Sequence, residues 1–141
     1  MTAAAVSPTF VQRFRTAAAL MHERRYRDAL DAFGQLYEPF EDRGERRTAT
    51  VEFTLAVELR RAAALMALRR YPEAREIFES DAVQQLWPRV PVAQRCDYHL
   101  GYGELLCAVG EADRAFDELQ EATRLATLAK LDRPGSPKAQ A

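Results

Sequence analysis

The chain has no asparagine, and its only lysines are Lys130 and Lys138. Histidine and cysteine occur twice each, as His22, His99, Cys96 and Cys107. Cys96 and His99 stand at i, i+3 with Asp97 nearby, but two good ligands with no second cluster do not make up a four-ligand metal site. The two cysteines share one expected helix eleven residues apart, which at ~1.5 Å rise per residue is about 16 Å. That is beyond disulfide reach, so reduced, partly buried thiols are expected, as suits a cytoplasm. No Gly-rich phosphate loop, Ser-His-Asp order or deaminase-type motif is written, so neither an enzyme nor a cofactor or metal is expected. No uninterrupted apolar run approaches the ~20 residues of a membrane helix. The opening MTAAAVSPTF lacks a basic region followed by a long apolar one, so no signal peptide is read. A formal net charge of -1 provides no global field toward nucleic acid or anionic lipid. These absences point to a soluble, cytoplasmic protein.

What is present is repetition. The stretch Arg15 to Phe33, RTAAALMHERRYRDALDAF, returns 45 residues later as Arg60 to Phe78, RRAAALMALRRYPEAREIF, with 11 of 19 positions identical. Repetition on this scale marks stacked supersecondary units. The 141 residues, 48% hydrophobic and 29% charged, suit one ordinary globular domain. Eighteen of the twenty basic residues are arginine, which reads as the codon usage of a GC-rich, bacterial genome.

Along the chain, residues 1–6 read as loose, and Ser7 followed by Pro8 is a helix start. Phe10, Phe14, Ala17, Ala18 and Met21 then recur at helical steps, the tract His22 to Arg25 permits a tight turn, and a second helix carries Tyr26, Ala29, Leu30, Phe33 and Leu36. Pro39 and the stretch Glu41 to Arg47 close this unit. The second unit predicts a helix from about Thr48 to Arg69 and a partner opened by Pro72 and running to about Ser80. A short helix or turn is expected between Asp81 and Trp87, ended by Pro88, with Trp87 plugging the gap between neighbouring units. Pro91 starts a third pair, a helix to about Val109, a turn at Gly110 and a helix from Glu111 to about Leu131. The segment 132–141, with Pro134, Gly135 and Pro137, reads as a flexible tail.

Three helical hairpins with small residues at the crossings and a Tyr-x-x-Ala-x-x-x-Phe start to the second helix resemble tetratricopeptide repeats. Ala17, Leu20, Tyr26, Ala29 and Phe33 carry the resemblance in the first unit; Ala62, Leu65, Tyr71, Ala74 and Phe78 carry it in the second. The third keeps Gly103, Leu106, Gly110, Ala115, Leu119 and Ala122, with Ala112 in place of the tyrosine. The resemblance implies an all-α, right-handed helical-hairpin solenoid of three repeats, about 8–38, 48–80 and 91–131, in a single domain spanning 1–131. The units are spaced 45 and 41 residues apart, longer than the roughly 34 of the family pattern, so helices and connections must absorb the surplus.

In that family the first helices line a concave surface where partners bind. Helical phase places Val11, Phe14, Ala18, Met21 and His22 there from the first unit. The second adds Ala56, Leu59, Ala63, Met66 and Ala67, and the third adds Asp97, Leu100, Glu104, Cys107 and Ala108. The set is largely apolar, with acids at one end only, so the expected occupant is an amphipathic helix or extended segment of a partner protein with apolar anchors. Two methionines in line would let the groove adapt. The other outcome is that a tightly curled chain packs these residues on each other. Repeats that grip the carboxylate tail of a heat-shock chaperone use Lys and Asn, which this stretch lacks. Small three-repeat proteins of this shape resemble the cytoplasmic chaperones of bacterial type III secretion, so an adaptor or small chaperone is expected. A structural alternative is homodimerisation through the last helix, where Leu125, Leu128 and Leu131 are read as lying off the core-facing side. The pairs Arg24–Arg25 and Arg69–Arg70 could form a phosphate-binding edge, or simply complement helix C-termini. His99 is expected to pack between the second and third hairpins.

Overall fold

The computed structural model describes residues 8–36 and 51–131. The expected loose start, the Ser7 cap, the connection through Pro39 and Glu41 to Arg47, the helix start at Thr48 and the tail from residue 132 lie outside them. Among the described residues the regular structure is all helical: α1 (Pro8–His22), α2 (Tyr26–Gln35), α3 (Val51–Ala67), α4 (Tyr71–Glu79), α5 (Asp81–Leu86), a 3-10 turn (Trp87–Arg89), α6 (Val92–Ala108) and α7 (Ala112–Leu131). Helix α1 pairs with α2, α3 with α4 and α6 with α7. The pairs are joined to one another through α2 on α3, α4 on α6 and α3 on α6.

One backbone device folds all three hairpins. Arg24, Arg69 and Gly110 have φ of 63°, 60° and 85°, the left-handed region. At each turn the next two N–H groups reach back to the last helical carbonyls. Arg24 donates to Met21 and Arg25 to Leu20; Arg69 donates to Met66 and Arg70 to Leu65; Gly110 donates to Cys107 and Glu111 to Leu106. This is the Schellman closure, which satisfies carbonyls that a helix end leaves open. The residue after each turn then opens the next helix. Arg25 pairs with Asp28 and Arg70 with Glu73, while the third turn reverses the signs, Arg114 pairing with Glu111 at 3.1 Å. The arginine pairs are therefore split between two helices. Only Arg24 and Arg69 follow a helix C-terminus; Arg25 and Arg70 sit at an N-terminus, where their acidic partners offset an unfavourable dipole.

Small residues set the helix spacing. Ala17, Ala62, Ala29 and Ala74 are fully buried, and Ala115 is nearly so. At Gly103 an added Cβ would lie 2.7 Å from a Leu119 side-chain carbon, so α6 and α7 approach closer than alanine allows. Large side chains fill what is left. Phe10, Phe33 and Leu36 anchor one cluster, and Leu55, Phe78, Leu105 and Leu106 anchor another. Burial of each such side chain stabilises the fold by about 1.5–3 kcal/mol. Phe53 of α3 meets the Phe10 and Phe14 rings edge-on at 5.8 Å, joining the first two pairs. The next junction is aromatic too: Trp87 stacks on Tyr98 at 5.0 Å, and Phe78 stacks on Tyr102 at 5.5 Å. Trp87 thus fills the gap beside α6 as its position in the chain implies. Ser80 serves the end of α4 and the start of α5, its hydroxyl donating to the Ile77 carbonyl and accepting from the Val83 N–H.

Two expectations are corrected. Leu125 is only 2% exposed. Helix α7 is twice the length of α2 and keeps packing along α6, so its inner stripe continues through Ala115, Ala122 and Leu125. The Cys96 thiol donates to the Ala122 carbonyl at 3.2 Å within this contact. The two thiols also differ: Cys96 is half-buried, whereas Cys107 is exposed.

The turn geometry makes a paired prediction. Gly110→Ala meets no steric obstacle, yet places a Cβ on a left-handed residue and should lower stability by about 1 kcal/mol, or roughly 2–4 °C in Tm. Gly34→Ala, also unobstructed but within α2, should raise stability by about 0.5 kcal/mol. Thermal melts of the two variants should move in opposite directions.

Candidate functional site

A groove of about 330 Å³ opens between α3 and α6. Helix α3 contributes Ala56, Leu59, Arg60, Ala63 and Met66, and α6 contributes Gln94, Asp97, Leu100, Gly101 and Glu104. The Phe78 ring of α4 forms the floor. Gly101 exposes that floor, since a Cβ there would stand 3.1 Å from the ring. Leu100 is 44% exposed, an unusual state for a leucine on a helix facing another helix. The Gln94 amide donates to the Glu52 carbonyl at 2.5 Å, tying the start of α6 to the start of α3.

The groove brings together Leu59, Ala63, Met66, Leu100 and Glu104 from the expected binding surface, along with Ala56 and Asp97. The first unit's residues are placed elsewhere. Phe14, Ala18 and Met21 pack against the first core cluster. The Phe14 ring is met edge-on by Phe33 and Phe53 and carries the Arg60 guanidinium over its face at 5.1 Å. Val11 is half-buried on α1, and His22 is exposed at its end. Ala67, Cys107 and Ala108 are exposed beyond the groove's lining. Sequence reasoning passed over Arg60, Gly101, Gln94 and Phe78. The first two were open to discovery, because Arg15, Arg60 and Gly101 occupy the same place in their units.

The groove's charges are uneven. Asp97 is open to water, yet the surrounding walls push its carboxyl upward, against the pull of Arg60. Glu104 is exposed. The arrangement offers an apolar strip with acids along one wall. Among the described residues, no group of three His, Cys, Asp or Glu side chains could hold a metal ion. No described helix is long and apolar enough to cross a membrane.

A second cleft lies on another face of α6, lined by Arg75, Glu79, Gln84, Trp87, Tyr98, His99, Tyr102, Arg114 and Glu118. Its polar groups are occupied with one another. Tyr102 donates to Glu79 and accepts from Arg114 at 2.7 Å. Arg75 bridges Glu79 on its own helix and Glu111 at the third turn. Gln84 donates to the Tyr98 hydroxyl at 2.9 Å and to the Phe78 carbonyl. His99, 8% exposed, faces Glu118 across 2.5 Å through Nδ1 and packs on Trp87. These groups pin α4, α5, α6 and α7 together; His99 itself packs between Glu118 of its own hairpin and Trp87 of the turn that joins the second hairpin to the third. No protein-family model matches the chain, and neither curated proteins nor solved structures yield a match.

The network sets a pH dependence. The Tyr102 hydroxyl, with Arg75, holds the Glu79 carboxyl below its usual range. Burial, together with Glu79, pushes the Tyr102 hydroxyl up to about 12. A lowered carboxylate adds stability that is present above its unfolded pKa and lost as pH falls through the folded one; a raised tyrosine adds stability present below pH ~10 and lost as pH rises toward ~12. Thermal melts should therefore decline on both flanks, below pH ~4.5 and above ~10. Tyr102→Phe should flatten the alkaline decline, and Glu79→Gln the acid one.

Proposed function

We propose that the chain is a tetratricopeptide-like, right-handed solenoid of three hairpins that binds another protein. Its role is that of an adaptor or small chaperone, not a catalyst, and its size and groove resemble those of the type III secretion chaperones. The single observation that carries this reading is the open groove between α3 and α6, with Leu100 exposed over a phenylalanine floor. Apolar surface kept in water forgoes roughly 25 cal/mol per Å². A partner side chain seated on Leu59, Met66 and Leu100 recovers it. The three identical turns and the shared small-residue crossings support the repeat assignment, since one local plan written three times gives stacked hairpins. The apolar lining favours a protein partner over nucleic acid, and a cytoplasmic setting fits the free Cys96 and Cys107.

A second reading is self-association through α7. Burial of Leu125 removes the centre of the stripe first read there, but Phe116 is 63% exposed and Leu128 37% on the same helix. Light scattering should show a dimer that Phe116→Glu dissociates if this reading holds; a monomer at high concentration ends it.

The groove reading is checked by co-purification from the native host. Leu59→Glu and Met66→Glu should each keep wild-type helicity and lose the retained protein by at least tenfold. Folded variants that retain it as well as wild type would exclude the groove.

A further inference from the structure

The partner's chemistry can be narrowed from the groove's charged wall; this step rests on the groove reading above. Asp97, Leu100 and Glu104 follow one another at three- and four-residue steps along α6, the spacing of a single helix face. Both acids line the groove. Among the described residues neither forms an ion pair or hydrogen bond, and Arg60 acts on Asp97 only through space. The groove's one cation instead lies over the Phe14 ring. Two acids and one cation leave the wall beside Leu100 negative.

Spacing then selects the occupant's conformation. Asp97 and Glu104 are seven residues apart, about 10.5 Å along the helix axis. A partner helix lying beside α6 repeats that rise, so residues at i and i+7 meet the two acids from one face. An extended segment covers ~10 Å in three residues, but an odd step places the two side chains on opposite faces. Long basic side chains can lay their methylene stems on Leu100 while their heads reach the carboxylates. The small residues Ala63 and Gly101 let a helix approach the floor.

We propose that the groove takes an amphipathic helix of a partner protein bearing Arg or Lys seven residues apart, on either side of an apolar anchor. The wall thus chooses among apolar helices by charge, which governs specificity and encounter more than raw affinity.

The test uses the full chain and three fluorescein-labelled synthetic peptides with one common apolar stripe. One carries Arg at the two flanking positions, one carries Glu there, and one has both Arg moved to its polar face. By anisotropy, wild type should bind the Arg-flanked peptide about tenfold more tightly than the Glu-flanked one, with the gap closing at high salt. The double variant Asp97→Arg, Glu104→Arg should reverse the order. Equal affinities for the three peptides, an unreversed order in the double variant, or no saturable binding of the Arg-flanked peptide each overturns the inference. Ala63→Phe, which obstructs the groove without altering its charge, separates the two claims. If the peptides bind equally and all are lost on Ala63→Phe, the groove stands and the basic helix falls. If the Arg-flanked peptide binds Ala63→Phe as it binds wild type, the groove reading falls too.

Discussion

Each hairpin depends on one residue held in the left-handed region at the end of its first helix. The chain must reverse within three residues while returning its last N–H groups to open carbonyls, and only a left-handed residue does both. Arginine fills this place twice and glycine once, so the conformation is imposed by the closure rather than by residue preference. Reversal fixes where the second helix starts, and the start fixes which of its residues face the first. Ala29, Ala74 and Ala115 then fall at corresponding places in their units and are all buried, as are Ala17 and Ala62 on the preceding helices, while Gly103 of α6 lies against Leu119.

From that spacing the two faces of α6 acquire different roles. One meets α7 and the aromatic wedge of Trp87, and its polar groups are consumed by Tyr102, Glu79, Arg75, Arg114, His99 and Glu118. A buried polar group without a partner is costly, and the two buried ones here, His99 and Tyr102, both have one. The other face meets α3 only partly. The interlocked side holds the last two hairpins at fixed separation, and that separation keeps the other side open.

The helices were legible because identical residues recur at a fixed offset and because Pro72, Pro88, Pro91 and Gly110 punctuate the third of the chain where the offset changes. Element bounds fell within a few residues, where capping and fraying decide them. The lower half of α7 was misread. Leu125 was placed off the core-facing side, whereas α7, twice the length of α2, keeps packing along α6 and buries it. For the site, the phase argument placed most of the α3 and α6 residues along the groove, Ala67, Cys107 and Ala108 excepted, and none of those of α1. Phe14 has the right phase, but its ring is large enough to reach Phe33 and Phe53 and fill the space a groove would need. Phase tells which way a side chain points; volume decides whether anything is left empty in front of it.

The same comparison explains why one junction is closed and the next is open. Phe14, Leu59 and Leu100 are equivalent positions, as are Arg15, Arg60 and Gly101. At the first junction Arg60 of α3 lays its guanidinium over Phe14 of α1, so a long side chain covers a large one. At the second, α6 offers Gly101 where α3 offered Arg60, and α3 offers Leu59 where α1 offered Phe14. Both changes remove volume from the same space, and nothing from α4 refills it except the face of Phe78 below. An accidental packing defect would be expected to collapse, since unfilled apolar space costs contact energy on every wall. This one is kept apart by the Gln94–Glu52 hydrogen bond at one end and by the interlocked face of α6 behind it. A unit that loses its cover at one junction while its frame is braced is the feature on which the proposed binding role rests.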